Sequence, residues 1–374
     1  MSFDLASKTP TADEKKNFKE RLQNLLKTAV QIELSTIPVT VVHQEMLHLA
    51  LAGNIRTSID AGPKLYALDV IPTYGDNNTI LNSDIPLRLE KCGKGNLQCF
   101  LRIEAPYNPP VKLDTEQERA DGEVLTQSYA MMSSDDTHIL DTYHSIGEFY
   151  RDVEDMIVHS DSFIDFGNED KQFSEAEMFS GLMVTIKDQP SAHKALKIIV
   201  DQGEGSVGVE EAHYQMFLDL YRRREDWTCW PVIASPKTEM YVGHPFIKSL
   251  SEAFNAAYCY LLITIEKTWQ TSDLFSRRKL IGNLHAVMID ILTPLADVLV
   301  QQPISRGGTE IEHAAPTFEF YPTSKLAATD INAAAKELFV AIGTHIDEAL
   351  KATTEEWKDT LKRVKFAVGR VPWL

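Results

Sequence analysis

Two Glu-x-x-His pairs on amphipathic helical segments constrain this chain of 374 residues more than any other feature. The first pair is Glu45 with His48, and the second is Glu210 with His213. Residues three apart lie on one face of a helix, so the carboxylate and imidazole of each pair can reach the same metal ion. Carboxylate-bridged di-iron and di-manganese sites in helical bundles use two such pairs, plus one Glu from each of two further helices. The pairs therefore predict a di-metal site inside a bundle.

Both pairs lie within apolar stripes. The neighbours on the helix surface, at about 100° per residue, are Val41, Val42, Leu49 and Ala52 around Glu45, and Tyr214, Phe217 and Tyr221 around Glu210. A glutamate buried in such a stripe must be protonated, paired or bound to metal. The alternative to a metal site is a buried glutamate that is satisfied by its own histidine or by an arginine elsewhere in the chain.

A third candidate ligand is Glu33, which continues the apolar stripe of the first predicted helix. Thr11 and Glu14 have the spacing of a capping box, which predicts where this helix begins. The inward positions that follow are Phe18, Leu22, Leu25, Leu26 and Ala29. Glu33 is the one formal charge that continues this face, so the pattern predicts a buried carboxylate near the end of the helix.

Segment 141–159 is expected to supply a fourth helix, but Glu148 lies away from its apolar side. That side holds Ile146, Val153 and Ile157, whereas the stripe around Glu148 contains Asp141, His144, Asp152, Asp155 and His159. Periodicity alone favours a solvated acidic face. If Glu148 is a ligand, the acidic face must turn towards the bundle interior, and the apolar side must pack outward against the C-terminal helices.

Several motifs resemble the ferritin-like domain of the violacein-pathway imine-dimer synthase and its relatives. They are IELSTIP at 32–38, HQEMLHLALAGNI at 43–55, SIGEFY at 145–150, QGEG at 202–205 and HY at 213–214. The similarity extends over about residues 10–225, and APTFE at 315–319 resembles a further segment of that family. The resemblance implies a ferritin-like four-helix bundle.

The resemblance also implies a set of metal ligands by position: Glu33, Glu45, His48, Glu148, Glu210 and His213. Glu204 is a rival to Glu210, because Gly203 and Gly205 on either side of it indicate a break or a close backbone approach. The implied cofactor is a non-haem di-iron centre, with manganese as the alternative metal.

The implied reaction is the oxidation, by dioxygen or peroxide, of a small imine or amino-acid-derived metabolite in a secondary pathway. Oxidative coupling of two imines is the specific form of this reaction that the resemblance suggests. The alternative class of function is a non-catalytic helical protein, structural or interacting, that has lost a complete metal site. A shared fold does not decide between these classes.

The chain departs from the family pattern between Glu33 and Glu45, where residues 35–44 replace a longer helix–turn–helix excursion. On one continuous helix the two carboxylates would lie ~18 Å apart along the axis, whereas paired metal ions are ~3.5–4 Å apart. Pro38 favours a break, because proline costs a helix interior ~3 kcal/mol, although TIPVTVV at 36–42 lacks typical turn residues. We expect a kinked or broken helix at Pro38. The alternatives are a long helix in a domain-swapped dimer or other homo-oligomer, and a defective chain with an open core.

Periodicity along the whole chain predicts a mainly α protein. Residues 1–225 are expected to form the bundle, with a small extended or β insertion at about 60–112, where Pro, Gly and Asn punctuate short apolar runs such as IPLRLEK and LQCFLRIEAP. Residues 226–245 read as a linker. Residues 246–374 are expected to form an additional C-terminal helical layer.

Composition argues against several other classes. A net charge of −17 disfavours nucleic acids and anionic membrane surfaces as partners. The longest apolar run, at 256–265, has ten residues and is too short to span a bilayer. The N-terminus lacks an apolar core, which predicts no secretory signal, and the four cysteines form no C-x-x-C motif, so a reducing cytoplasmic location is expected. The sequence has no glycine-rich nucleotide motif, and no nucleotide cofactor is predicted.

Overall fold

The structure is a computed structural model that describes residues 10–36, 42–75, 78–79, 85–104, 143, 146–203, 212–223, 229–304, 311–324 and 330–371. Its regular elements are nearly all helical, which confirms the mainly α prediction. The helices are α1 Ala12–Thr36, α2 Val42–Ser58, α3 Lys94–Ile103, α4 Ile146–Val158, α5 Gln189–Gly203, α6 His213–Arg222, α7 Pro245–Thr268, α8 Leu274–Ala286, α9 Thr293–Val300, α10 Ile331–Ala352 and α11 Glu355–Val368. A π-helical turn, Val287–Leu292, joins α8 to α9. Strands β1 Pro303–Ile304 and β2 Glu312–His313 form an antiparallel pair.

Helices α1, α2, α5 and α4 form a four-helix bundle, in which each packs against the next and α4 closes the ring on α1. The predicted capping box begins α1: the Glu14 backbone N–H donates to Thr11 Oγ1 at 3.2 Å, and the Thr11 N–H donates to Glu14 Oε2 at 2.7 Å. The predicted inward stripe is buried at Leu22, Leu26 and Ala29. This stripe sets the rotation of α1 and turns the end of its apolar face towards the bundle interior.

The insertion between α2 and α4 is only partly extended. Residues 61–75 form turns and bends, and Thr79 pairs with Pro86 in an isolated β-bridge. The apolar run from Leu97 to Ile103, predicted to be extended, is helical and belongs to α3. Leu97 and Leu101 are four residues apart and both buried, which is a helical period that cannot be told from a strand in so short a run. The extended prediction is wrong for this part of the insertion.

The chain before His213 also differs from prediction. Helix α6 begins only at His213. Ala212, the residue before α6, is extended with φ −70° and ψ 144°. Helix α6 therefore does not extend back through Ala212, and Glu210, the predicted partner of His213, lies outside the described residues.

The C-terminal helices pack around α7, which is buried over most of its length and lies along α10. By length and hydropathy alone, the continuous helix Leu274–Val300 could cross a membrane, although 39% of its apolar window is buried inside the protein. Buried core helices of soluble proteins share these properties. None of the four cysteines forms a disulfide.

The bundle meets the C-terminal helices at the second half of α2. Trp269 Nε1 donates to Asn54 Oδ1 at 3.1 Å, and a Cβ atom at Gly53 would lie 2.0 Å from Trp269 Cζ2. Only glycine leaves room for the indole at this position. One apolar core runs through both regions, and the division of the chain near residue 225 stays a prediction.

Candidate metal centre

The hairpin of α1 and α2 brings Glu33, Glu45 and His48 together within one chain. Helix α1 ends at Thr36 and α2 begins at Val42, and the turn at 37–41 lies outside the described residues. His48 Nδ1 lies 3.5 Å from Glu33 Oε2, and Glu45 is one turn before His48 on α2. This proximity excludes one continuous helix from Glu33 to His48, while the expected break at Pro38 itself lies outside the described residues.

The pair of α3 and α6 adds Glu104 and His213. Glu104 follows the last residue of α3 and His213 is the first residue of α6, and these two helices pack against each other. His213 Nδ1 lies 2.9 Å from Glu45 Oε1 and 3.8 Å from Glu104 Oε2. The imidazole rings of His213 and His48 are tilted, with their centroids 5.1 Å apart. Two elements outside the four-helix bundle thus contribute to the cluster inside it.

Gly203, the last residue of α5, provides room for Glu104. A Cβ atom at Gly203 would lie 3.3 Å from Glu104 Oε2, which is closer than an ordinary carbon–oxygen contact. The glycine of QGEG therefore has the role expected of a close approach. The next residue, Glu204, lies outside the described residues.

Helix α4 contributes Tyr150 and buries Glu148. The Tyr150 hydroxyl donates a short hydrogen bond to Glu33 Oε1, and Glu148 is 3% exposed. All of the first five residues of α4, Ile146–Tyr150, are buried, so Glu148 faces the interior without any rotation of the whole acidic side.

The rest of the prediction for this helix is wrong. Asp155 and His159 are exposed, so the acidic stripe does not face inward along its length. Ile146, Val153 and Ile157 are buried, and α4 packs mainly against α1 and α5. The apolar side therefore belongs to the bundle and is not turned outward against the C-terminal helices.

Each histidine of the cluster makes a hydrogen bond on the side of the ring away from the carboxylates. His48 Nε2 lies 3.0 Å from Gln202 Oε1, and His213 Nε2 lies 3.0 Å from Gln44 Oε1. An amide oxygen only accepts, so Nε2 of each ring carries a proton, and Nδ1 is the nitrogen that faces the carboxylates. Histidines that bind metals are commonly oriented in this way.

Burial and the neighbouring charges shift the pKa values of the clustered side chains. Burial raises the pKa of Glu33 to about 7, despite the hydrogen bond from Tyr150. Burial also raises the pKa of Glu104 and lowers the pKa of His48. Burial alone would lower the pKa of His213, but Glu104 and Glu45 outweigh it and raise that pKa to about 10. The cluster therefore attracts protons or another cation.

The residues of the cluster are arranged better for binding a metal ion than for hydrogen bonding to each other. His213 Nδ1 lies 2.9 Å from Glu45 Oε1 but makes no hydrogen bond with a described group. Ligand atoms of Glu45, His48 and His213 all lie within 4.8 Å of one another, close enough to surround one ion. Oxygen and imidazole donors without sulfur suit iron and manganese.

Comparison with the predicted ligand set gives three outcomes. Glu33, Glu45, His48 and His213 come together, and Glu148 is buried on α4. Glu204 and Glu210 lie outside the described residues, so their part in the site stays a prediction. Glu104 was not predicted, although it follows Leu97 by seven positions and Leu101 by three. Glu104 continues the apolar stripe of Leu97 and Leu101, just as Glu33 continues that of α1, but this pattern marks it only if residues 94–103 are helical.

Comparison with known proteins identifies the family of this chain. The family model described as ferritin-like matches residues 35–222, a span that contains α2 to α6. Dichlorochromopyrrolate synthase from Lentzea aerocolonigenes is 26% identical over 315 residues, a match that covers 75% of this chain and 29% of that protein. This chain therefore spans less than a third of that relative's length.

A crystal structure at 1.95 Å resolution of a ferritin-like protein from Caulobacter vibrioides matches this chain with a TM-score of 0.49 and 20% sequence identity. The match covers 72% of this chain and 93% of that one. The family match alone extends over half of this chain and contains three of the four bundle helices in full. The chain belongs to the ferritin-like family.

Proposed function

We propose that this chain is a non-haem di-iron oxidoreductase, with manganese as the alternative metal. Its substrate would be a small imine or amino-acid-derived metabolite, and its oxidant dioxygen or peroxide. The observation that supports this most is the convergence of three buried carboxylates with the Nδ1 atoms of His48 and His213 in the centre of a ferritin-like bundle. A relative named as a synthase, dichlorochromopyrrolate synthase, supports a role in secondary metabolism.

The proposed ligands within the described residues are Glu33, Glu45, His48, Glu104, Glu148 and His213. The metal ions, when bound, would supply the binding and activation of dioxygen or peroxide. The chain itself holds the ligands at no more than 3% exposure, which keeps bulk water from the reacting atoms. Tyr150 fixes one oxygen of Glu33 and leaves the other towards His48.

Within this class, the reaction proposed is the oxidative coupling of two imines. Coupling joins two carbon atoms and releases two hydrogens as two protons and two electrons. One molecule of peroxide accepts them and gives two molecules of water, so the reaction needs no nucleotide cofactor. A cytoplasmic location and a small-molecule substrate belong to the same proposal.

The first test is metal content. Protein expressed with added iron or manganese is expected to hold close to two ions per chain by elemental analysis, and His48→Ala and His213→Ala should each lower this number. His193→Ala is the matched control, because His193 also contacts a glutamate, Glu154 at 2.9 Å, but on the surface of the bundle. A wild-type protein without transition metal would overturn the proposal and favour the non-catalytic class.

The second test is the reaction. Iron-loaded protein would be mixed with aromatic amino acids and an amino-acid oxidase that generates the imine and peroxide in place. Mass spectrometry is expected to show a product of twice the imine mass less two hydrogens, which is absent with His213→Ala. Metal-loaded protein that gives no dimer from any imine would leave the metal site standing and refute coupling.

A further inference from the structure

We infer that Gln44 and Gln202 are positioning residues of the metal centre, each of which fixes Nδ1 of one histidine as the metal-binding nitrogen. The inference rests on the proposed metal site and goes beyond it, because neither glutamine is a proposed ligand. It assigns the glutamines control of both the ring orientation and the charge around the metals.

The two hydrogen bonds are crossed between helices. His48, on α2, is held by Gln202 at the end of α5, at 3.0 Å. His213, on α6, is held by Gln44 near the start of α2, also at 3.0 Å. Gln44 therefore orients a ligand that lies on another helix, although it is four residues before His48 on its own. Through these two hydrogen bonds, α2 contacts both the end of α5 and the start of α6.

The chemistry of the amide decides what these bonds do. A neutral imidazole has one N–H, and an amide oxygen can only accept it, so each glutamine keeps the proton on Nε2. The Nδ1 atoms then face Glu33 and Glu45, at 3.5 Å and 2.9 Å, and a bound metal ion would take the place of any proton on Nδ1. In the other tautomer the lone pair would point at the glutamine and the metal would lose a ligand.

The neutral charge of the glutamines has a second consequence. Carboxylate partners on the histidines, which other metal sites use, would add two more negative charges and favour trivalent ions. The amide pair thus favours the divalent form of the metal pair.

The test separates the hydrogen bond from simple packing. Gln202→Met keeps the approximate volume but removes the acceptor, whereas Gln202→Glu keeps the acceptor and adds charge. We expect Gln202→Met to weaken anaerobic Fe²⁺ or Co²⁺ binding by about 10- to 100-fold. We expect Gln202→Glu to retain binding and to lower the reduction potential of the iron-loaded protein. Gln44→Met and Gln44→Glu should behave in the same way through His213.

Gln215→Met is the control, because Gln215 is on α6 close to His213 but bonds to Asp219 instead. It should leave metal affinity unchanged. If the glutamines only fill space, the Met variants should keep the wild-type metal affinity and the Glu variants should lose it. That result would overturn the inference.

A measurement on metal-free protein keeps this inference distinct from the proposed function. Nitrogen-15 NMR of labelled histidine should show His48 with its proton on Nε2 in the wild type and a mixture of tautomers in Gln202→Met. This result would stand even if the wild type bound no metal, in which case the proposed function alone fails. Unchanged His48 signals in Gln202→Met would refute the positioning role whether or not metal binds.

Discussion

The two halves of α2 bury polar side chains in opposite ways. In the second half, Asn54 is fully buried and every polar atom of its side chain has a partner. Its Nδ2 donates to the carbonyls of Phe173 and Val184 at 2.8 and 3.1 Å. Its Oδ1 accepts from the Phe173 N–H at 2.8 Å and from Trp269 Nε1 at 3.1 Å. The chain supplies everything that this residue needs.

The first half of α2 is different. Glu45 and His48 are buried, as Asn54 is. They lie in a cluster with Glu33, Glu104 and His213, so three carboxylates share a space with only two imidazoles. His213 Nδ1 approaches a carboxylate without making a hydrogen bond. Buried polar groups in native proteins are nearly always satisfied, so the difference supports the proposal that the first half of α2 belongs to a metal centre. The predictions below test whether one half is structural and the other functional.

The largest effect is expected at Arg277, which belongs to the structural side of the comparison. Its guanidinium is 1% exposed and donates to both oxygens of Glu177 at 2.7 and 3.0 Å. It also donates to the backbone carbonyls of Lys171, Gln172, Thr268 and Thr271. Arg277→Ala should lower the free energy of unfolding by about 3–5 kcal/mol, because it leaves a carboxylate and several carbonyls without a donor. Urea denaturation measures this.

The control for Arg277 is its exposed neighbour, Arg278. Arg278→Ala should change stability by no more than about 0.5 kcal/mol. If both variants cost the same, Arg277 is not a structural tie between the loop before α5 and the C-terminal helices. Metal content per folded chain should stay at the wild-type value in both.

The next effect is expected at Gly53, where α2 touches Trp269. An added methyl group would lie 2.0 Å from the indole, and Trp269 is buried. Gly53→Ala should therefore cost about 1–3 kcal/mol of stability through overpacking. Gly282→Ala on α8 is the matched control, because a Cβ there meets no described atom within 4 Å. It should raise the melting temperature slightly, since alanine favours a helix more than glycine. Equal effects of the two substitutions would contradict the close contact.

The sequence predicted the site best where one helix decides a residue's environment. Glu33, Glu45 and His48 each continue an apolar stripe on a helix that is correctly located, so periodicity was sufficient. Glu104 was missed because a ten-residue helix, Lys94–Ile103, has too few turns to show its period. Glu148 is buried because the first turn of α4 is enclosed on all sides, which its periodicity does not show.

Residues that depend on distant parts of the chain could not be predicted. His213 lies in the cluster, but it was predicted from a helical spacing to Glu210, whereas its position depends on how α6 packs against α3. Gln44 and Gln202 are separated by more than 150 residues, and nothing local marks either as a partner of histidine. Asn54 and Arg277 are likewise satisfied by tertiary contacts. A single sequence does not reveal such pairs.

A pH effect is expected on the functional side, in metal-free protein. The pKa of Glu33 rises from 4.5 to about 7 on folding, so its contribution to stability is full below pH 4.5 and is lost as the pH rises through 7. The pKa of His213 rises from 6.5 to about 10, so its contribution is full below 6.5 and is lost as the pH rises through 10. Both groups predict lower stability at about pH 9 than at about pH 6.

Metal should reverse this trend, because metal binding strengthens as the ligands lose their protons. Melting temperatures with and without Fe²⁺ or Mn²⁺ at several pH values measure both effects. In metal-free protein, Glu33→Gln should weaken the dependence of melting temperature on pH between about 4.5 and 7. A metal-free protein whose stability rises from pH 6 to pH 9 would contradict the shifts of both groups.

The smallest effect is expected at Glu104, where a substitution should stabilise the metal-free protein instead of destabilising it. In metal-free protein, Glu104→Gln removes a buried negative charge that faces other carboxylates, so it should raise the free energy of unfolding by about 0.5–2 kcal/mol while lowering metal occupancy. Glu266 is the matched control, because it is also buried but accepts the backbone N–H groups of Leu65 and Tyr66 at 2.9 and 3.3 Å. Glu266→Gln weakens these bonds and should lower stability by about 1 kcal/mol, with metal occupancy unchanged. Denaturation and elemental analysis of the two variants together decide the comparison, because a structural role for Glu104 requires its substitution to destabilise the protein just as that of Glu266 does.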